Sequence, residues 1–355
     1  MRRTDKRHML ALLPLLVSIR LLASGPDLSS LQSNLERVLS TGRAPRGEVG
    51  LALIHVESDA RLAIHGGQRF PMASVYKLPI AIELLTQLSQ DTLVPDHQVF
   101  IGPSDIRACC TLSRHHPNGG VMLSVGELLE LMIVESDNTA ADAVLKLVGG
   151  PAVVERRMRA LGLDGINVNR YEGDIAFEMD GVLNPPPQAQ RTLELERRLI
   201  SEVPPAALRA ARARYTSDPR DTATPADMAL LLARLQLGKL LPRAYTEVLL
   251  DLMARAKTGP KRLKALLPPD TIVAHKTGTT DVVINDVGII TLPDDSALRG
   301  HLVLAVFTMN GRNVAEMQQT IAKLSGAAFE FFTGKPLPPP VKPKPAPKKK
   351  RRKEE

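Results

Sequence analysis

The stretch Ser74-Val75-Tyr76-Lys77 decides how this 355-residue chain is interpreted, together with Ser136-Asp137-Asn138 and Lys276-Thr277-Gly278 later in the sequence. Each supplies one part of a site built on a serine nucleophile. Ser74 has an amine one helical turn away, Ser136 brings a second hydroxyl beside an amide, and Lys276 is a cation beside a hydroxyl. A single motif of this length is a weak signal, but their order along one chain points to one shared site.

The motif Lys-Thr-Gly occurs twice, so one copy must lie outside that site. Lys257-Thr258-Gly259 follows the helix-like run 249–255 and precedes a proline, a pattern typical of a helix end and turn. Lys276-Thr277-Gly278 follows the run 271–275, which is rich in β-branched residues and predicts a strand. Because a strand can line a cleft, we assign Lys276 to the site and interpret Lys257 as a solvated surface lysine.

Residues 1–25 have the layout of a secretory signal peptide, with a basic start, an apolar run from Met9 to Ile19 and the small residues Ala23-Ser24-Gly25. The alternative is an ordinary first helix of the fold. No segment reaches the roughly 20 apolar residues of a membrane span. The sequence therefore predicts a secreted or periplasmic protein with no transmembrane helix in the mature chain.

The formal net charge of +8 belongs to the ends of the chain. Residues 335–355 carry +7 and residues 1–25 carry +4, which leaves −3 for the body between them. The chain is also only 3% aromatic and has no tryptophan, so the body lacks the stacking surfaces of single-strand binders, and we predict no nucleic-acid binding. The Pro- and Lys-rich segment 335–355 predicts a disordered tail whose candidate partner is an anionic cell-envelope polymer.

The two cysteines, Cys109 and Cys110, are adjacent. Neighbouring residues do not readily reach ordinary disulfide geometry, and the nearby His115 and His116 do not complete a usual zinc spacing. We therefore expect ordinary thiols and no metal site.

Apolar spacing predicts strands at both ends of the body, with helices between and after them. The β-like runs are 48–56, 60–64, 271–279, 285–292 and 301–309, and the helical runs include 27–39, one beginning near Ser74, 125–134, 139–148, 151–161, one capped by Thr224-Pro225, and 314–332. This order predicts an α+β layered fold, in which an antiparallel β-sheet is flanked by helices and accompanied by an all-helical lobe.

A serine hydroxyl needs an adjacent base to act as a nucleophile, and a lysine at i+3 shares the helix face of Ser74. Lys77 can be that base only if burial and a nearby cation such as Lys276 lower its pKa. The alternative is an ordinary serine and lysine on a surface helix. The apolar flanks 71–73 and 78–82 argue against it, because an unpartnered buried lysine is costly.

These motifs and their flanks closely resemble class A β-lactamases, a family that shares the three motifs with penicillin-binding proteins. The matching runs are 70–77, 131–142, 262–269 and 273–279, and similarity extends over about residues 28–332 apart from one insertion. A further family element, an Arg-aromatic-Glu on a loop held by a later Asp, matches Arg170-Tyr171-Glu172 and Asp221.

The resemblance implies a serine hydrolase that opens β-lactam rings through an acyl-enzyme on Ser74, without cofactor or metal. Lys77, or Glu172 with water, takes the serine proton, and the backbone N–H groups of Ser74 and Thr279 form the oxyanion hole. Ser136 protonates the departing nitrogen, and Glu172 activates the water that hydrolyses the acyl-enzyme. The implied catalytic residues are Ser74, Lys77, Ser136 and Glu172, and the implied substrate-binding residues are Asn138, Lys276, Thr277, Gly278 and Thr279.

One departure from the family concerns the hydrolytic water. Members normally carry an Asn four residues after the Glu to help hold this water, but Ala176 stands there. Asp174 and Glu178 are candidate substitutes. Without a substitute the acyl-enzyme is expected to be long-lived.

The other departures concern the loop and the carboxylate site. Glu172 and Asp221 are 49 residues apart, far more than in ordinary members, so we infer an insertion at 176–217. Val287 occupies a place where many members carry a carboxylate-binding Arg. The candidate replacements are Arg255, Lys261 and Arg262.

The sequence leaves two other functions open. One is a penicillin-binding-type peptidase, or a slow acyl-enzyme former acting on cell-wall peptides, and the other is a non-catalytic cell-envelope-binding protein. The predicted organisation is a signal peptide at 1–25, a catalytic domain at 26–334 and the basic tail at 335–355, in a monomer whose small-molecule substrate is a β-lactam.

Overall fold

The computed structural model describes residues 26–41, 48–311 and 313–338. The predicted signal peptide and the part of the predicted tail after Pro338 lie outside these residues. The strands are β1 Glu48–His55, β2 Ala60–Ile64, β3 Phe70–Pro71, β4 Gln98–Ile101, β5 Val121–Ser124, β6 Thr222–Ala223, β7 Val273–Thr279, β8 Ile284–Leu292 and β9 Gly300–Met309.

Helices account for most of the remaining described chain. The α-helices are α1 Ser29–Thr41, α2 Lys77–Ser89, α3 Cys110–His115, α4 Val125–Glu130, α5 Asn138–Leu147, α6 Pro151–Ala160, α7 Glu172–Met179, α8 Leu193–Ser201, α9 Pro205–Ser217, α10 Pro225–Gln236, α11 Arg243–Ala254 and α12 Val314–Thr333. Short 3₁₀ turns occur at Ala73–Tyr76, Pro103–Asp105 and Gln188–Gln190, and a π-helical turn occurs at Leu131–Glu135.

The main sheet has five strands in the order β2-β1-β9-β8-β7, and every neighbouring pair is antiparallel. Helices cover both faces of the sheet. Because successive side chains of a strand point to opposite faces, each strand contributes residues to two different cores. In β1, Leu51 and Leu53 belong to the core under α1 and α12, whereas Ala52 and Ile54 belong to the larger core shared with the helical lobe. The predicted α+β layered fold is confirmed.

The helices fall into two layers. Helices α1 and α12 pack together over one face of the sheet, while α10 contacts β1, β8 and β9 on the other and α11 contacts β7. Helix α12 is capped at its start by Asn313, whose side chain accepts from the Ala315 N–H at 2.8 Å, and at its end by Gly334, which has a φ of 69°. Both are favoured helix ends, since asparagine caps free N–H groups and glycine accepts left-handed backbone.

Two predicted helices differ in detail at the site. The helix expected to begin near Ser74 starts as the 3₁₀ turn Ala73–Tyr76, so Ser74 precedes α2. The helix expected over 125–134 continues from α4 into the π-helical turn, after which Ser136 adopts a left-handed φ of 61°. Such turns are enriched at functional sites, because they change the direction in which the chain leaves the helix.

The predicted insertion is helical, and the tail begins in contact with the domain. Helices α8 and α9 lie within the predicted insertion, and α9 packs on α7 and β3. Lys335 pairs with Asp295, and the Leu337 N–H donates to Glu330 at 2.9 Å. These contacts tie Lys335 and Leu337 to the domain, while Lys335, Pro336 and Pro338 remain exposed. In the described part of the chain, no helix is both long and apolar enough to cross a bilayer.

Candidate active site

The predicted site residues meet at one cavity of about 370 Å³ between the helical lobe and the edge strand β7. Three segments that are distant in the sequence contribute to it: the turn at Ser74, the Ser-Asp-Asn junction and the part of β7 that begins at Lys276. Among the predicted residues, those that line the cavity are Ser74, Ser136, Asn138, Glu172, Thr277 and Thr279.

Ser74 is held at the cavity by its backbone. Ala73 before it has a φ of +45°, and the Met72 N–H donates to the Asp221 carbonyl at 2.9 Å. Gly278 on β7 approaches from the other side, where a Cβ would lie 2.3 Å from the Met72 carbonyl oxygen. Only glycine allows this approach, so Gly278 serves the site through its lack of a side chain.

Lys77 lies fully buried under the cavity, and its amine has three partners. Its Nζ is 3.1 Å from Ser74 Oγ, 2.7 Å from the Ser136 carbonyl oxygen and 2.6 Å from Asn138 Oδ1. Burial lowers the pKa of Lys77, against the opposing effect of the acidic residues Glu172, Asp137 and Asp142. The arrangement places an amine whose pKa is lowered by burial beside the serine hydroxyl, at the i+3 position on which the sequence prediction rests.

The Ser-Asp-Asn junction caps a helix and also places Ser136 beside Lys276. The Asp137 side chain caps α5 by accepting from the Ala140 N–H at 3.0 Å, and it also accepts from the Leu112 N–H at 2.8 Å. Ser136 lies 2.8 Å from Lys276 Nζ through its hydroxyl oxygen. The junction therefore holds the Ser136 hydroxyl against the Lys276 amine.

Lys276 is fully buried, and its pKa lies well below the usual lysine value because of burial and then the charge of Lys77. The other copy of the motif differs: Lys257 has a side chain 68% exposed and pairs with Glu135. Thr258 nevertheless lines the cavity, and its hydroxyl is 2.7 Å from that of Thr277. The prediction treated this second motif as irrelevant to the site and missed Thr258.

Arg262 is the one of the three candidate replacements that hydrogen-bonds to the site strand. Its guanidinium donates to Thr279 Oγ1 at 2.7 Å and to the Gly278 carbonyl at 3.1 Å, and it is 3% exposed. Val287 stands opposite Lys276 in the β7–β8 register. Arg255 instead pairs with acidic residues of α4 and α11.

Glu172 begins α7 and lies beside the cavity. The Asp142 carboxylate accepts from the Glu172 N–H at 2.6 Å and from the Gly173 N–H at 3.2 Å, and it is paired with Arg107 at 2.8 Å. Burial raises the pKa of Glu172, and the charge of Lys77 opposes this. Asp142 ends the family-like run 131–142, but the sequence does not predict that it anchors α7, because its partner Arg107 lies in no motif.

The expected ion pair between Arg170 and Asp221 is present. Arg170 Nε donates to Asp221 at 2.6 Å, and both side chains are buried. Asp221 also accepts from the Asn169 N–H at 2.7 Å, so the start and the end of the long loop are tied together.

The proposed substitute water ligands are engaged elsewhere. Asp174 pairs with Arg191 at 2.7 Å, and Glu178 pairs with Arg170 and with Arg220, each at 2.6 Å. These contacts hold the inserted segment to the loop and direct the carboxylates to arginines. The assignment of Asp174 or Glu178 as a water ligand is therefore not supported by their positions.

The inserted segment itself contributes to the cavity. Glu196 and Ile200 of α8 and Tyr215 of α9 line it, together with Asp180 between α7 and α8. The sequence indicates an insertion in the loop that follows Glu172, which could reshape the cleft, but it does not identify the residues that reach the cavity, because the segment matches no family motif.

The cysteine prediction was wrong. Cys109 and Cys110 form a disulfide, and each has a positive φ, of 89° and 79°. This left-handed backbone, which few side chains adopt, brings adjacent sulfurs together. The pair lines the cavity, with Cys110 Sγ 3.6 Å from the Ser136 carbonyl oxygen. Among the described residues, no group of three or more His, Cys, Asp and Glu side chains is placed to hold a metal.

Comparisons with known proteins agree with this geometry. The profile described as "Beta-lactamase enzyme family" matches residues 30–332. Beta-lactamase VEB-1 of Pseudomonas aeruginosa is 28% identical over 93% of this chain and 99% of its own, and Beta-lactamase Toho-1 of Escherichia coli is 30% identical over 90% and 96%.

Solved structures give the same result. A β-lactamase from Chitinophaga pinensis superimposes with a TM-score of 0.69 at 29% identity, covering 85% of this chain and 99% of its own. An ancestral class A β-lactamase superimposes with a TM-score of 0.68 at 29% identity, covering 85% and 100%. The motifs, the fold and these similarities together show that the chain belongs to the β-lactamase enzyme family, in class A.

Proposed function

We propose that this protein hydrolyses β-lactams through an acyl-enzyme on Ser74, so that it degrades β-lactam antibiotics and confers resistance to them. The observation that carries the proposal is the pairing of two hydroxyls with two buried amines at one cavity: Ser74 with Lys77 at 3.1 Å and Ser136 with Lys276 at 2.8 Å. Relatives named as β-lactamases, which align over nearly the whole chain, support the same activity.

In the acylation step, the Ser74 oxygen attacks the β-lactam carbonyl carbon and its proton passes to Lys77, or to Glu172 through water. The N–H groups of Ser74 and Thr279 stabilise the oxyanion, as preorganised donors do in acyl transfer. The ring C–N bond breaks, Ser136 donates a proton to the departing nitrogen, and the proton taken from Ser74 passes back to Ser136. Asn138 holds the substrate amide, and Lys276 with Thr277 holds the substrate carboxylate, with Arg262 supporting the strand behind them.

In the deacylation step, Glu172 takes a proton from water, and the resulting hydroxide attacks the ester carbonyl. The bond to the serine oxygen breaks, and Ser74 regains the proton that Glu172 took from the water. Burial raises the pKa of Glu172, which makes it a better proton acceptor than an ordinary glutamate. No step needs a metal or cofactor.

One observation favours a slower variant of this chemistry. Ala176 offers no hydrogen bond to the hydrolytic water, so a penicillin-binding-type peptidase or a long-lived acyl-enzyme on cell-wall peptides is the second candidate. The signal-peptide layout of residues 1–25 supports secretion to the periplasm or medium. We propose that the mature protein acts as a monomer.

Nitrocefin turnover separates the candidates. Many turnovers per enzyme are expected from a β-lactamase, whereas a single stoichiometric burst would indicate a slow acyl-enzyme former. Ser74→Ala is the control, since removal of a nucleophile costs orders of magnitude in rate. A wild-type protein that neither turns over nitrocefin nor becomes labelled by penicillin would contradict the proposal and favour a non-catalytic envelope-binding protein.

A further inference from the structure

The hydrolytic water of the proposed function needs more than two protein groups to hold it. A bound water at a protein site typically makes about three hydrogen bonds. Ser74 and Glu172 line the cavity and can supply two. The third position, one helical turn after Glu172 on α7, is Ala176, whose methyl group supplies none.

Tyr215 lies where a third group is needed. It is near the end of α9 in the inserted segment, its side chain is only 6% exposed, and it lines the same cavity as Ser74, Glu172 and Ala176. Two other residues that line this cavity, Ala73 and Ala176, have small side chains. Helix α9 reaches the site by packing on α7, which carries Glu172, and on β3, which leads to Ser74.

The hydroxyl of Tyr215 is able to donate a hydrogen bond. The backbone of Ala73 lies beside the hydroxyl, and a phenolic hydroxyl carries one proton that it can donate. Burial, followed by the nearby charge of Glu172, raises the pKa of Tyr215, so the hydroxyl keeps that proton at neutral pH. Tyr76, the tyrosine of the first motif, is fully buried, whereas Tyr215 lines the cavity.

We propose that the Tyr215 hydroxyl is the third group that holds the hydrolytic water between Ser74 and Glu172, and that the inserted helix α9 supplies it in place of a side chain at position 176. This inference rests on the proposed deacylation by Glu172. Tyr215 donates a hydrogen bond to the water oxygen and transfers no proton. It is therefore a water-positioning residue, and the proton goes from water to Glu172.

Tyr215→Phe tests the inference, because phenylalanine keeps the ring and removes only the hydroxyl. The deacylation rate, measured by chasing enzyme pre-labelled with a fluorescent penicillin, is expected to fall about tenfold, the effect of one hydrogen bond. The acylation rate should change less than about twofold. Since deacylation then limits turnover, kcat and KM for nitrocefin should fall together while kcat/KM stays nearly constant.

The matched control is Tyr245→Phe on α11. Its hydroxyl bonds the Leu88 carbonyl at 3.2 Å, away from the cavity, so the same chemical change should leave both rates unaltered. Rescue provides the second test. In the double variant Tyr215→Phe with Ala176→Asn, a carboxamide at 176 is expected to restore deacylation, which a merely structural role of Tyr215 would not allow.

The outcomes also distinguish a failure of the Tyr215 role from a failure of the proposed β-lactam hydrolysis. Wild-type protein that fails to turn over nitrocefin contradicts the proposed function itself. Normal wild-type turnover with unchanged deacylation in Tyr215→Phe overturns only the role of Tyr215. An equal fall in acylation and deacylation, without rescue by asparagine at 176, would likewise show that Tyr215 supports the fold of the site and not the water.

Discussion

The Lys276 ammonium lies 2.8 Å from the Ser136 hydroxyl, and the two residues are separated by 140 positions in the chain. This contact joins the second and third motifs into one unit, with both side chains buried. The neighbouring Lys257 belongs to an identical tripeptide but points to solvent. The two lysines therefore form a matched pair for testing which copy of the motif acts.

Lys276→Ala is expected to lower kcat/KM for nitrocefin by about a hundredfold or more, because it removes the cation proposed for the substrate carboxylate and the partner of Ser136. Lys257→Ala removes only an exposed ion pair, which contributes little, and should leave kcat/KM and Tm nearly unchanged. Steady-state kinetics on both variants decide the matter. Comparable losses in the two would show that the second tripeptide is also functional.

Glu172→Ala should affect deacylation far more than acylation. Without the carboxylate, the water has no base, whereas Lys77 remains beside Ser74 at 3.1 Å to take the serine proton. Labelled acyl-enzyme should therefore accumulate, as seen by retention of a fluorescent penicillin after gel electrophoresis. If both steps fell equally, Glu172 would serve as the acylation base as well.

The pH range over which the enzyme is active should be narrower than the range expected if Glu172 and Lys276 had their usual pKa values. Glu172 acts as the carboxylate, so its raised pKa places the acid limb of kcat above the usual Glu value of about 4.3. Lys276 acts as the cation, so its lowered pKa places the alkaline limb of kcat/KM below the usual Lys value of about 10.4.

The alkaline limb has its own control. Lys276→Arg keeps a positive charge at this position, and a guanidinium stays charged up to about pH 12, so the limb should move upward in whatever activity remains. Stopped-flow rates across the pH range would measure both limbs. An alkaline limb that Lys276→Arg leaves in place would assign it to another group.

The tie between Arg170 and Asp221 should control the stability of the long loop. Asp221→Ala removes a buried carboxylate that accepts from Arg170 Nε and the Asn169 N–H, and it places alanine at a φ of +51°. Loss of one partner of a buried pair costs about 3 kcal/mol, which urea unfolding would detect. Asp221→Asn, which tolerates the left-handed backbone, should lose less. Equal stability of Asp221→Ala and wild type would show that the tie is dispensable.

The sequence was sufficient for those parts of the fold that repeat a strong local pattern. The strand period placed β1 and β2 within a residue of their observed ends, and the spacing of α12 was recovered because one face of it packs on the sheet. The two-stranded sheet of β4 and β5 was missed: its strands are four residues long and leave Phe100 and Met122 more than half exposed, so burial gives no clear alternation.

The sequence predicted the site residues that belong to short motifs, but not those that reach the site only through packing of the folded chain. Ser74, Ser136 and Lys276 were found because their spacing carries the chemistry. Tyr215 and the Cys109–Cys110 disulfide were not, since the first depends on how α9 packs and the second on backbone with positive φ. Neither cause is visible in residue order.

The basic tail should be dispensable for catalysis, but where it is cut should matter. Deletion of 339–355 leaves every contact described here intact, so hydrolysis and Tm should match wild type. Deletion of 335–355 also removes the Lys335–Asp295 pair and the Leu337 contact with Glu330 and the core under α12, so Tm should fall slightly while kcat stays. Calorimetry and nitrocefin kinetics on both truncations test this.

The remaining question for the tail is its partner. Its Lys and Arg residues would attract an anionic envelope polymer, and salt should weaken that attraction. Co-sedimentation of wild type and the 339–355 deletion with isolated cell envelope, at low and high salt, measures it. Wild type should be retained at low salt and released at high salt, with the truncated protein released at both. Equal retention of the two proteins at low salt would show that the tail is only a solvated extension, and loss of kcat in the shorter truncation would place it in the site.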